Sequence, residues 1–281
     1  MSELPTLPFT GERFTPECVR EIWYEHWHRY AFASVFARGK RVLDAACGEG
    51  YGAALLARQA ASVVGVDLCA DTIAHARRRY QGFPNLCFLR ADVTDLPEGL
   101  GRFDLIVSFE TLEHVAEQER MLAGLARLLA EDGLVLISSP ERRVYSEKSG
   151  YRNPFHHREL TREELEALLR RYFPAFRLYG QKLLFQSALW RLDGQEREYL
   201  MQTMEENGEL VPEPRYEAVY YLAVCARHPA ALPQLPGLAL FGDRAESVYR
   251  HYNEEVGKHI RAGLRIQELE RELAALKGGG R

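Results

Sequence analysis

The chain has 281 residues, with 36 Lys and Arg against 40 Asp and Glu, a formal net charge of −4 and 46% hydrophobic residues. That composition excludes whole-chain disorder, and at ~150 residues per domain the length suits one large domain or two small ones. Its apolar runs fall short of the ~20 residues that cross a bilayer, Met1–Phe9 lacks the basic start and apolar run of a secretion signal, and no net basic face speaks for a nucleic-acid partner; a cytoplasmic location is the expectation.

The cysteines, Cys18, Cys47, Cys69, Cys87 and Cys225, are odd in number and widely spaced, with no Cys-x-x-Cys pair. They read as reduced thiols. No metal site is assigned; a set drawn from the scattered Glu and His after the fourth and fifth predicted strands is left open.

In chain order, Thr15-Pro16 starts a predicted helix on which Val19, Ile22, Trp23, Trp27, Tyr30, Ala31 and Ser34 share one face. This aromatic face is expected to pack over the mouth of a sheet, with ordinary core packing as the equal alternative. From Gly39 to Pro140 short β-rich runs alternate with helical patterns, the mark of βαβ units and a parallel sheet. The strands are Arg41–Ala46, Ser62–Val66, Leu86–Arg90, Phe103–Phe109 and Gly133–Ser139; the helices are Tyr51–Ala60, Ala70–Tyr80 and Glu117–Ala130. A helix over Thr161–Tyr172 opens with a Thr161/Glu164 capping box. Two β-like runs follow, Phe176–Phe185 and Glu217–Ala226, around a polar, helix-prone insertion at Leu189–Asn207. After a Pro-rich stretch (Pro229, Pro233, Pro236), a helical pattern runs from Arg244 to Lys277. Ala262, Ile266, Leu269, Leu273 and Leu276 there form a short coiled-coil-like seam, with a plain docked amphipathic helix as the alternative.

The expected division is therefore 1–38, an N-terminal helical lid; 39–228, an α/β domain with an insertion at about 188–215; 229–243, a Pro-rich linker; and 244–277, a C-terminal helix.

The strongest chemical signal is Val42-Leu43-Asp44-Ala45-Ala46-Cys47-Gly48-Glu49-Gly50-Tyr51-Gly52, a strand entering a glycine turn and a helix. Glycines let the backbone turn tightly and approach a ligand, so a nucleotide-like ligand belongs there. Gly48-x-Gly50-x-x-Ala53 also satisfies the dinucleotide pattern, with Asp67 placed to accept from ribose hydroxyls. These residues alone leave NAD and other adenosine cofactors open.

The segments VLDAACGEGYG, VVGVDL, FLRADVTDLP, FDLIVSFETLEHV and GLVLISSP, in that order and spacing, resemble the successive motifs of class I S-adenosylmethionine-dependent methyltransferases. The resemblance covers about residues 39–140. It implies a Rossmann-like fold with a mostly parallel seven-stranded sheet and helices on both faces, S-adenosylmethionine as cofactor, and roles for particular residues. Asp44, Cys47, Gly48 and Gly50 would border the methionine half of the cofactor. Asp67 would take the ribose, Leu68 and Val93 the adenine ring, and Asp92 its exocyclic amine. Phe109 and Glu110 would lie beside the sulfonium. One departure is that Ala46-Cys47 stands where an all-glycine turn would begin. Asp44 also fits a helix or turn cap, and Asp92, before Thr94-Asp95-Leu96-Pro97, also fits a turn.

Methyl transfer from a sulfonium needs the acceptor held in line at ~3 Å with water excluded, and a hydroxyl acceptor also needs a base. Glu110, Glu113 and His114 after the fourth predicted strand, and His156 and His157 after the fifth, should line the same opening at the sheet edge where ligands bind, and His114 is the first choice of base. Residues 141–158 are basic for an acidic chain; Arg152 and Arg158 suit phosphate or carboxylate, and Tyr145, Tyr151 and Asn153 suit a sugar face. A solvated loop is the plain alternative.

Thr10-Gly11-Glu12-Arg13-Phe14, Glu25-His26, His28-Arg29-Tyr30 and Tyr151-Arg152-Asn153-Pro154-Phe155-His156 resemble a bacterial methyltransferase group associated with surface-polysaccharide assembly. That implies O-methylation of a sugar, as in chain capping, with Arg13 and Tyr30 touching cofactor or acceptor and the C-terminal helix joining subunits or an assembly partner. The rivals are a small-molecule or natural-product methyltransferase, an NAD-dependent oxidoreductase and a non-catalytic assembly scaffold. A base methyltransferase is disfavoured because Ser108-Phe109-Glu110-Thr111 lacks an Asn/Asp-Pro-Pro-aromatic motif.

Overall fold

The computed structural model of the chain describes residues 14–16, 21–188, 191 and 200–278. Helix α1 (Glu21–Ser34) precedes the alternating unit β1 (Arg41–Ala45), α2 (Tyr51–Ala57), β2 (Ser62–Asp67), α3 (Ala70–Arg79), β3 (Leu86–Arg90), β4 (Phe103–Ser108), α4 (Gln118–Leu128) and β5 (Leu129–Pro140). Then come α5 (Arg162–Tyr172), β6 (Ala175–Gln181), a small hairpin of β7 (Thr203–Met204) and β8 (Leu210–Val211), β9 (Tyr220–Ala226) and α6 (Ser247–Gly278).

The main sheet has seven strands in the order β3-β2-β1-β4-β5-β9-β6. The first five are parallel, and β9 runs antiparallel between β5 and β6. Central strands buried on both faces read as continuous apolar runs, and Val42, Leu43, Asp44 and Ala45 of β1 are all buried. Alternate residues supply two cores. Val42, Val63, Leu105, Val107 and Leu136 share a cluster with residues of α1, α2 and α3; Leu43, Val66, Ile106, Val135 and Ile137 face α4 and α5. The sheet is thus the layer that fixes where its C-terminal edge, and everything mounted there, must lie.

Several boundaries differ from the sequence reading for local reasons. β1 stops at Ala45 because Ala46 turns to φ 65°. β5 starts at Leu129, inside the expected helix, through a register shift against β4 between Phe103 and Leu105. Gly133 permits it, since a Cβ there would sit 2.7 Å from the Leu129 side chain. The capping box of α5 is present: the Glu164 N–H donates to Thr161 Oγ1 at 3.3 Å and the Thr161 N–H to Glu164 Oε2 at 2.8 Å. β6 ends at Gln181 instead of reaching Phe185. Helix was expected through Leu189–Asn207. Its described end is instead the β7/β8 hairpin, closed by Gly208 at φ 83°; most of the rest of that stretch lies outside the described residues.

The Pro-rich stretch lies against α1. Phe241 stacks on His28 with centroids 5.5 Å apart and packs at 5.8 Å from Trp23, and the Tyr179 hydroxyl donates to the Pro236 carbonyl at 2.7 Å. α6 is one helix of 32 residues whose Ile266, Leu269 and Leu273 are 56%, 41% and 54% exposed, so its apolar seam has no partner among the described residues. Among those residues no helix is long and apolar enough to cross a membrane.

Candidate active site

The turn after β1 is built from left-handed backbone: Ala46, Gly48 and Gly50 have φ of 65°, 53° and 94°. The Cys47 N–H donates to the Val66 carbonyl at 2.8 Å and ties the turn to β2. Gly50 is glycine for packing as well, since a Cβ would lie 2.8 Å from the Phe88 ring. At the end of β2 the half-buried Asp67 carboxylate accepts the Gly48 N–H at 3.1 Å through Oδ2 and the Cys69 N–H at 2.9 Å through Oδ1. Each oxygen keeps a further lone pair. Leu68 beside it is 61% exposed, an uncovered apolar side chain next to an anchored carboxylate. Asp92 is exposed and its Oδ1 accepts the Thr94 N–H at 2.8 Å and hydroxyl at 2.7 Å, so it forms the turn weighed as its alternative. Val93, 7% exposed, packs in the core facing α4 and not toward the turn.

Asp44 lies fully buried beneath the turn. It accepts from the Tyr30 hydroxyl at 3.1 and 3.3 Å and from the Ala53 N–H, so it caps α2 and anchors α1. Burial pushes its carboxyl up to about 7, opposed by the Tyr30 hydrogen bond and reinforced by the charge of Asp67. Burial likewise pushes the Cys47 thiol well up. The raised Asp44 value has a definite sign in stability. Between the unfolded value of ~3.9 and the folded one, the native state keeps a proton that the unfolded chain releases. Its contribution is therefore largest at low pH and declines as pH climbs to about 7, by at most ~1.4 kcal/mol per unit. Asp44→Asn, which retains an acceptor, is expected to flatten this component when urea midpoints at about pH 5 and about pH 7.5 are compared. An unchanged slope would refute the assignment.

Helix α1 covers the turn as the aromatic spacing predicts. Tyr30 packs edge-on to Phe109 at 4.9 Å and to Tyr51 at 5.1 Å, and Phe14 stacks on His26 at 4.3 Å. Contact is so close that a Cβ at Gly52 would meet the Tyr30 ring at 2.0 Å. Phe109, 7% exposed, is therefore held by the lid tyrosine. Arg13 lies outside the described residues.

Two groups that the sequence marked only as parts of motifs prove to be buried and charged. Glu49, 1% exposed, pairs with Arg79 and His75 at 3.0 Å each. Arg29, also 1% exposed, donates from Nε to Gln181 Oε1 at 2.8 Å, lies 3.5 Å from Glu110 and spreads 4.5 Å above the Tyr220 ring. Burial raises the neighbouring Glu25 carboxyl to about 7, although Arg29 pulls it down. The triplet His28-Arg29-Tyr30 was the only sequence signal for Arg29, and it did not reveal burial.

The ends of β4 and β5 meet beside these residues. Glu110, at φ 49°, donates its N–H to Ser138 Oγ at 3.0 Å and accepts the Ser138 hydroxyl at 2.7 Å. Both oxygens of Glu113, 1% exposed, are buried with no hydrogen-bond partner. Burial, then the charge of Glu110, push its carboxyl well up. The Glu113 carbonyl accepts the N–H groups of His157 at 2.8 Å and Arg158 at 3.1 Å, which latches the segment after β5 onto the segment after β4. His114 and His156 thereby come together edge to face with ring centroids 4.7 Å apart, and Tyr145 stacks on His156 at 5.5 Å. His157 is exposed and stands apart from this pair. An adjoining cavity of about 580 Å³ is lined by Arg142, Arg152, Asn153, His156, His157 and Arg158 among others. Tyr151 stands 6.4 Å from Tyr145.

The glycine turn and these charged groups share the C-terminal edge of the parallel strands, the ligand crevice of open α/β sheets. Residues 42–133 match the sequence family described as Methyltransferase domain. A Mycobacterium tuberculosis protein named "Probable S-adenosylmethionine-dependent methyltransferase" is 37% identical over 166 residues, 58% of this chain and 60% of that protein. A Glaesserella parasuis ubiquinone biosynthesis O-methyltransferase is 34% identical over 110 residues, 37% of this chain and 47% of that one. The chain thus spans less than two thirds of the curated relatives it matches. Among solved structures, the YcgJ protein of Bacillus subtilis superposes with a TM-score of 0.51 at 17% identity, over 72% of this chain and 99% of that one, a likeness of fold. The fold is the Rossmann-like one of class I S-adenosylmethionine-dependent methyltransferases. Within that fold, residues 42–133 are the stretch that matches a methyltransferase domain.

Proposed function

We propose that the protein transfers the methyl group of S-adenosylmethionine to an oxygen of a sugar or anionic glycan acceptor. The observation that carries the acceptor class is the arginine-lined cavity beside His114 and His156, at the same sheet edge as the glycine turn. The residues of the turn fit the cofactor: Asp67 is held by two backbone N–H groups with lone pairs to spare for ribose hydroxyls, and exposed Leu68 offers an apolar face to adenine. When bound, the cofactor supplies an electrophilic methyl on a sulfonium. The protein's own part is to position and to move a proton. Tyr30, Phe109 and Tyr51 form a dry wall over the turn. Arg152 and Arg158 hold the acceptor's anionic group, Tyr145, Tyr151 and Asn153 its sugar face, and His114 takes the hydroxyl proton. His114 suits that task because its Nδ1 faces the Phe155 carbonyl at 3.1 Å, which fixes the Nδ1–H tautomer and leaves Nε2 basic. Glu110, His156 and His157 are the other candidates for base.

The test is methyl transfer from labelled cofactor to a panel of sugar phosphates and acidic oligosaccharides. Arg152→Ala and Arg158→Ala should each raise the acceptor KM about 10-fold, the value of a charge-assisted hydrogen bond, with cofactor affinity unchanged. An unchanged KM in both removes the anionic-acceptor reading. A second reading, an apolar small-molecule acceptor, draws on the cavity of about 440 Å³ between α1, β6 and residues 237–241, lined by Phe32, Leu178, Leu238, Leu240 and Phe241. The relative named for ubiquinone biosynthesis is likewise an O-methyltransferase. A cytoplasmic location, and pairing of two chains or docking to an assembly partner through the exposed α6 seam, belong to the same proposal.

A further inference from the structure

Glu113, His114 and His156 each offer one ligand atom, and those atoms all lie within 4.8 Å of one another. The surroundings of the three groups are what a cation site needs. His156 presents Nδ1 to Glu159 Oε1 at 2.6 Å, and His114 presents Nδ1 to the Phe155 carbonyl at 3.1 Å. A carboxylate or carbonyl on one ring nitrogen fixes the tautomer and frees the other nitrogen as a lone-pair donor, the arrangement that orients metal-bound imidazoles. In both rings the nitrogen that carries the lone pair is therefore Nε2, and that of His114 stands 3.8 Å from Glu113 Oε1. Glu113 is the unusual member, because a buried carboxylate without a hydrogen bond is costly unless something cationic meets it. The charges acting on it are Glu110 and Glu159, both negative, and the Arg29 guanidinium, which lies nearer Glu110 at 3.5 Å and only partly offsets them. The Asn153 amide donates to His156 Nε2 at 3.0 Å and would have to turn aside.

We infer that Glu113, His114 and His156 form a binding site for a first-row divalent cation such as Zn²⁺ or Mn²⁺. Two imidazoles and one carboxylate match the donor preferences of these ions and leave coordination positions open. A cation there would replace His114 as activator by acidifying a ligated acceptor hydroxyl, whose proton would leave to solvent as the alkoxide takes the methyl from sulfur; that use rests on the methyltransferase reading, whereas the binding does not.

The decisive experiment is calorimetric titration of the chelator-dialysed full chain with Zn²⁺ and with Mn²⁺, alongside the visible spectrum of the Co²⁺-loaded protein. One cation per chain with micromolar affinity is expected. Glu113→Gln and His156→Gln should weaken it by well over 10-fold, and the outer-shell change Glu159→Gln by about 10-fold. S-adenosylmethionine titrations of the same variants monitor folding and should be unchanged. No saturable binding of either cation, or wild-type affinity in both Glu113→Gln and His156→Gln, overturns the site. Cation binding in a protein that fails to bind S-adenosylmethionine keeps the site and removes the methyltransferase reading.

Discussion

Asp67→Ala is expected to weaken S-adenosylmethionine and S-adenosylhomocysteine binding by more than about 100-fold, measured by calorimetry, because the two charge-assisted hydrogen bonds proposed to ribose, ~1.5–3 kcal/mol each, would be lost. The effect has a second source. Asp67 also receives the Gly48 and Cys69 N–H groups, so its removal loosens the glycine turn as well as the ribose contact. Asp67→Asn removes the charge but keeps one acceptor oxygen, enough for one of the two N–H groups of the turn, and an intermediate loss is expected. NAD serves as the control ligand. Wild-type affinity for the sulfur cofactors in Asp67→Ala would refute the ribose assignment, and NAD binding that alone is lost in the variant would point to oxidoreductase chemistry.

Much of this site was legible because its residues lie close in sequence on a regular frame. Asp44, the Gly48–Gly50 turn, Asp67 and Asp92 lie at or just past the ends of strands of the βαβ series, and such buried strands are readable as apolar runs. What a position does once folded was less legible. Asp44 and Asp92 both proved to hold backbone or side-chain groups locally, as cap and turn, roles their flanking residues had allowed. That the segments after β4 and β5 share one opening follows from the sheet, but which of their side chains touch was not legible. The approach of His156 to His114 depends on the Glu113 carbonyl receiving two N–H groups from residues 157 and 158, a tertiary contact with no periodic signature. The insertion of antiparallel β9 between β5 and β6 is equally a matter of tertiary order. The β7/β8 hairpin won over a helix-prone composition through the left-handed turn at Gly208.

Arg29→Ala is expected to cost ~3–5 kcal/mol of stability, the range for stripping one partner from a buried charged network. Arg29 is among the largest fully buried side chains, and what it leaves behind is specific: Glu110 loses its cation and keeps the Ser138 hydroxyl, Gln181 Oε1 loses its donor, and the Tyr220 face loses its cation. The same guanidinium ties α1 to β6 through Gln181, whose amide also donates to the Glu25 carbonyl at 3.0 Å. Its loss should therefore loosen the lid before the sheet. Arg29→Met retains most of the buried volume without the charge and should recover the packing share alone, so the difference between the two variants reports the cavity. Urea denaturation followed by tryptophan fluorescence reads both events, because Trp23 and Trp27 lie on α1. A loss below ~1 kcal/mol in Arg29→Ala, the scale of an exposed ion pair, would show that this arginine is neither buried nor paired as described.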